Sequence, residues 1–125
     1  MLDAQRAIRM TRFFANDWNI DKNKIGILGS SAGGHLASTA ATHLDEVLPK
    51  ADDSTDFVSA RPDFMILLYP VITFKQPAKH AGSEYALLGD SPDSALVRHF
   101  SNELQVNDNT PPTFSFMRLM IKLCL

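Results

Sequence analysis

Ser31 is the residue whose surroundings are best suited to chemistry. It sits in Gly29-Ser30-Ser31-Ala32-Gly33, a G-x-S-x-G pattern. A short apolar run, Ile25 to Leu28, enters the pattern, and a helix-forming run, Leu36 to Ala41, leaves it. That is the strand, sharp turn and helix of a nucleophile elbow. Gly29 and Gly33 are expected to flank the serine closely. A bulky side chain at either place would crowd a turn that holds Ser31 in a strained backbone conformation. The hydroxyl then projects beyond the strand end, beside the N-terminus of the next helix. Backbone N–H groups there stabilise developing negative charge, and the N–H of Ala32 is the candidate donor. A purely structural tight turn would also use small residues. The flanking strand and helix favour the nucleophile.

A serine hydroxyl needs a histidine in reach, and that histidine needs a carboxylate to orient it. In elbow enzymes the chain order is serine, acid, histidine. Four histidines are present. His35 falls in the first turn of the elbow helix, where packing or capping is the simpler role. His43 lies further along the same helix. His80 lies in a loop after the second apolar run and is the better-placed base. His99 ends a helix, which a histidine suits electrostatically. Asp63 and Asp108 precede strands and so lie at the wrong end for catalysis. Glu84, Asp90 and Asp93 are explained by helix starts. No two histidines have metal-ligand spacing, and no metal or cofactor is expected.

The elements that must position Ser31 follow from periodicity. Asp3 to Trp18 reads as an amphipathic helix with Ala4, Ala7, Ile8, Thr11 and Phe14 on one stripe, continued by Trp18. A second helix is expected from Gly33 to about Leu48, ended by Pro49. Lys50 to Pro62, with Asp52, Asp53 and Asp56, reads as a solvated loop; its spacing is not that of a calcium loop. Phe64 to Tyr69 is continuously apolar, which suits a strand buried on both faces of a parallel sheet. Ser83 to Leu88 is a short helix closed by Gly89. Ser91-Pro92-Asp93 opens another, running to about Phe100. Thr113 to Phe116 begins a third strand. The order of helix, strand, helix, strand, small helices, strand predicts an α/β fold with central parallel strands and flanking helices. Sites in such folds lie at the carboxyl ends of strands, which is where Ser31 falls.

The 125 residues are 45% hydrophobic and 21% charged, ordinary for one small globular domain. A net charge of −2 gives no electrostatic case for nucleic acid or an anionic membrane. A single cysteine, Cys124, excludes an internal disulfide and a cysteine metal cluster. Met1 leads into a mixed stretch, so no signal peptide is expected. No run approaches transmembrane length. None of this places the protein in a compartment.

Several blocks together resemble the α/β-hydrolase fold, specifically the bacterial acetyl-xylan-esterase-like carbohydrate esterases. They are D-A-Q-R-A-I-R from Asp3, W-N-I-D from Trp18, and I-G-I-L-G-S-S-A-G-G-H-L-A-S-T from Ile25. They continue with R-P-D-F-M-I-L-L-Y-P-V from Arg61, Leu88-Gly89, F-S-N-E from Phe100 and T-P-P-T-F from Thr110. The resemblance implies a serine carboxylic-ester hydrolase acting on acetyl or short acyl esters of sugars or small alcohols. Ser31 matches the family nucleophile and Ala32 its oxyanion donor. The family's catalytic aspartate and histidine have no counterpart, and its upstream H-G-G-G loop is absent. A peptidase or thioesterase on the same fold is the alternative enzyme reading.

After Phe114 the text departs from the family. Family members continue with a strand and then H-A-x-D-D-x-V-V-P. One permitted coding of Ser115 to Leu125, read two bases later, gives F-H-A-T-D-D-K-V-V-P. Residues 1–114 are therefore expected to be the central part of the hydrolase domain, and 115–125 a frameshifted tail. A chain so truncated is expected to be inactive, and to expose sheet edges through which it self-associates. A non-catalytic fragment or interaction module is the competing function.

Overall fold

The structure, a computed structural model, describes residues 2–44 and 53–117. Three parallel strands lie side by side in chain order: β1 (Gly26–Ser30), β2 (Phe64–Leu68) and β3 (Thr113–Phe116). Leu28 pairs with Ile66, and Ile66 with Phe114. The helices are α1 (Leu2–Phe13), α2 (Ser31–Thr42), α3 (Ala81–Leu88) and α4 (Ser94–His99). This is the α/β alternation expected. Of the expected tail, Ser115 and Phe116 complete β3, and residues 118–125 lie outside the described residues.

Helix α2 covers one face of the sheet. Ala37 and Ala41 pack on Met65 and Leu67, with Ile27 and Ile72 at the margin. Alternation along β2 sends Phe64, Ile66 and Leu68 to the other face. The apolar run at 64–69 led to the expectation of burial on both faces. Among the described residues only the α2 face is covered: Leu28 is 63% exposed and Phe114 65%.

Helix α1 is shorter than expected, and its inward stripe is rotated. The buried positions are Gln5 and Ile8, followed by Ala15 beyond the helix, while Ala7 and Trp18 are exposed. Polar groups cause the difference. Gln5 Nε2 donates to the carbonyl of His43 at 3.0 Å and so caps α2. That helix ends at Thr42, short of the expected Leu48, and residues 45–52 lie outside the described residues.

Residues 53–62 are not a plain solvated loop. Asp53 and Asp56 form a reciprocal capping box on a short 3-10 helix, Ser54–Phe57, and both carboxylates bind Arg6. The Arg6 hydrogen bonds hold the Asp53 carboxyl well below the usual carboxylate range. Arg12 reaches further, donating to the carbonyls of Lys22, Ser59 and Arg61 and to Asp63. Helix α4 is capped by Asp93, whose carboxylate accepts from the Ala95 N–H, so the helix starts later than Pro92.

Candidate active site

Strand β1 runs straight into α2, with the reversal absorbed at one residue. Ser30 is extended (φ −121°, ψ 146°), and Ser31 has φ 50°. A positive φ at a residue with a Cβ is strained and needs support from its surroundings. Gly29 is one support: a Cβ there would run into the Gly33 carbonyl and the Gly34 Cα. Gly33, expected to be equally constrained, has open space around its missing Cβ. The second tight position is Gly34, whose Cβ would lie 2.7 Å from Pro70 Cβ.

Pro70 begins the segment after β2, and that segment is tied to the turn. The Val71 N–H donates to the Ser31 carbonyl at 3.1 Å. The Val71 carbonyl accepts from His35 Nδ1 at 3.1 Å. Asn102 locks the same region from behind. Its Nδ2 donates to Ser38 Oγ at 2.6 Å and to Thr39 Oγ1 at 3.0 Å, and its N–H donates to the Ile72 carbonyl. Sequence reasoning assigned no role to Val71 or Asn102, although both lie in blocks that carried the resemblance.

Ser31 and Ala32 are exposed at the carboxyl end of β1. The first N–H groups of α2, Ala32 among them, have no acceptor in the preceding turn and point where an anion would be stabilised. Beside them lies a cavity of about 350 Å³ between α2 and α3. Ala32, His35, Phe74, His80, Leu87 and Phe100 are among its lining residues.

The other candidates have structural partners. His43 bonds to the carbonyls of Thr39 and His99. His80 caps α3 and meets Ser83 Oγ at 2.9 Å. His35 is buried, and that burial lowers its pKa, so the ring is neutral near pH 7. Asp63 sits at the far end of β2, bound to Arg12 and to the Ile25 N–H. Glu84 pairs with Lys79. Asp90 and Asp108 are exposed. Among the described residues no three His, Cys, Asp or Glu side chains gather as a metal site. No helix among them is long and apolar enough to cross a membrane.

The family model described as BD-FAE matches residues 1–117. The chain belongs to the BD-FAE family. Its relatives include carbohydrate-active proteins. It is 45% identical over 112 residues to endo-1,4-beta-xylanase B of Butyrivibrio fibrisolvens, covering 90% of this chain and 17% of that protein. It is 35% identical over 113 residues to the acetylxylan esterase of Xylanibacter ruminicola, covering 88% and 21%. An acetyl ester-xyloside bifunctional hydrolase from Caldicellulosiruptor lactoaceticus superposes with a TM-score of 0.83 at 53% identity, over 91% of this chain and 42% of that one. The BD-FAE chain thus spans only 17–21% of the length of the curated relatives it matches. The expected α/β-hydrolase fold and the kinship with carbohydrate esterases are borne out.

Proposed function

We propose that the chain is the serine-bearing segment of a carboxylic-ester hydrolase for acetyl or short acyl esters, carbohydrate esters among them. Ser31 is the nucleophile, and the Ala32 N–H is one oxyanion donor. The observation that carries this reading is the φ of 50° at Ser31. A strained serine, exposed where a parallel strand meets a helix, has no packing explanation. Attack on the ester carbonyl forms a tetrahedral oxyanion, and its collapse releases the alcohol with a proton delivered by histidine. Water then frees the acyl group by the reverse steps.

That histidine and its aspartate lie outside this chain's own set, since residues 115–125 do not supply them. The chain alone is therefore proposed to be inactive, because triad members act as a unit. Glycoside cleavage is a poorer fit, although a relative is named a xylanase. It needs two carboxyl groups about 5–9.5 Å apart, and among the described residues none lines the cavity. The uncovered sheet face favours a second reading, a non-catalytic module that works through association.

Two measurements test the proposal. Purified chain and its Ser31→Ala variant should hydrolyse a chromogenic acetyl ester at the same background rate. Serine-dependent turnover would overturn the inactivity and mean that His80, His35 or a partner supplies the base. Residues 3–114, exchanged for the matching segment of the Caldicellulosiruptor hydrolase, should give Ser31-dependent ester cleavage. A folded chimaera without it would overturn the nucleophile assignment.

A further inference from the structure

The end of the sheet away from Ser31 carries another cavity, of about 470 Å³. It lies between the end of α1, the turn before β1 and the short 3-10 helix, with Phe13, Phe57, Asn16, Lys22 and Asn23 in its lining. The five residues of β1, roughly 16 Å of extended backbone, separate this end from Ser31. Its walls are held. Arg12 Nε donates to the Lys22 carbonyl and Nη1 to the Ser59 carbonyl, and Arg9 Nε donates to the Val58 carbonyl at 3.0 Å. The capping box of Asp53 and Asp56 fixes the turn that carries Phe57.

On that fixed frame Phe57 is 82% exposed. It is not isolated. Phe13, 43% exposed, meets Phe14 edge-on with ring centroids 5.0 Å apart, and Phe14 stacks on Trp18 at 5.7 Å. Trp18 is itself 54% exposed. The rings therefore form a strip from Trp18 to Phe13, continued across the cavity by Phe57. The polar groups beside it are uncommitted: the side-chain amides of Asn16 and Asn23 have no hydrogen-bond partner among the described residues. A side-chain amide both donates and accepts, as a sugar hydroxyl does, and the negative face of an aromatic ring attracts the C–H face of a pyranose. A purely apolar guest would leave the amides unmet. An anion would find little charge, since Asp63 already matches Arg12.

We propose that this strip is a binding site for a neutral oligosaccharide, with ring faces on Phe57, Phe13 and Trp18 and hydroxyls on Asn16 and Asn23. The site holds a sugar chain and does no chemistry on it. Only the choice of xylose as the probe sugar rests on the carbohydrate-ester reading; binding needs neither Ser31 nor turnover.

The test titrates the 125-residue chain with xylotetraose and reads both the heat of binding and the fluorescence of Trp18, the single tryptophan of the chain. A saturable fluorescence change is expected. Xylotetraose should bind about tenfold more tightly than xylose, because the strip is longer than one ring. Phe57→Ala should weaken binding about tenfold, and the double variant Asn16→Ala, Asn23→Ala by a similar factor. All three side chains are exposed, so helix content should not change. Ser31→Ala should bind as the unmodified chain does. No saturable binding, or equal binding of xylitol, whose hydroxyls sit on no ring, would overturn the site. Heat without a Trp18 response, undiminished binding in both sets of variants, or binding lost with Ser31→Ala would place the sugar elsewhere and overturn it too. Should a variant not fold, xylotetraose against xylitol on the unmodified chain decides. Sugar binding here with no ester cleavage by the chimaera would leave this site standing and the esterase reading not.

Discussion

At the scale of single residues, the turn at Ser31 depends on two glycines for steric reasons, and only one of them is named by the G-x-S-x-G pattern. Gly29 faces the backbone of Gly33 and Gly34, which cannot yield as a flexible side chain would. Gly29→Ala should cost about 3 kcal/mol, the upper end of ordinary overpacking. Gly33 lies in α2 with open space beside it, so Gly33→Ala should be neutral or stabilise by about 0.5–1 kcal/mol through helix propensity. Urea unfolding of the two variants checks this, and comparable losses in both would refute it. The pattern was legible in the sequence and so was the strain at Ser31. Which glycine is crowded was not, because that depends on Pro70 and on backbone brought close by the fold. The same is true of Val71 and Asn102, whose contributions are made through a main-chain N–H, a carbonyl and a side-chain amide that no periodicity marks.

At the scale of elements, α1 is held to the body by polar groups on its inner side, and this explains the rotated stripe. Sequence periodicity counts apolar residues, yet Gln5 and the arginines make the long-range contacts. Arg12 joins three segments: the turn after α1 through Lys22, the 59–61 loop, and the start of β2 through Asp63. Its four bonds use the planar fork of a guanidinium, at 3.0 Å from Nε, 2.6 and 2.9 Å from Nη1, and 2.8 Å from Nη2. A lysine ammonium is a point donor and cannot span those acceptors. Arg12→Lys should therefore lose about 2–4 kcal/mol, close to the loss in Arg12→Ala, since several carbonyls and a carboxylate lose their partner. Denaturant melts would decide: a lysine variant within about 0.5 kcal/mol of the parent, the ordinary range for a surface substitution, would show that charge and not the fork matters. The strands, by contrast, were legible as short apolar runs of the right length. Their neighbours along the chain supply the parallel order.

At the scale of the whole molecule, the described residues leave the sheet with one covered face and one open face. The open face carries Leu28, Phe64, Ile66, Leu68, Phe114 and Phe116, which the strand register sets side by side. Phe114 and Phe116 are 65% and 57% exposed. Continuous hydrophobicity along β2 was read as burial on both faces, and that reading describes what these residues require. It cannot report whether a second layer is present. Burying a leucine or phenylalanine is worth about 1.5–3 kcal/mol, so a surface of this kind drives association whenever chains meet. The strand edges at β1 and β3 add unpaired backbone groups, but the aromatic face is the stronger driver because it is wider than one ladder. The 125-residue chain should therefore sediment as a species larger than 13.8 kDa. Placing lysines at Leu28 and Phe114 should shift it toward the monomer with helix content unchanged, because neither side chain contacts α2 across the core. A monodisperse monomer of the unmodified chain would refute the argument. Association that survives both substitutions would move the contact from the face to the edges.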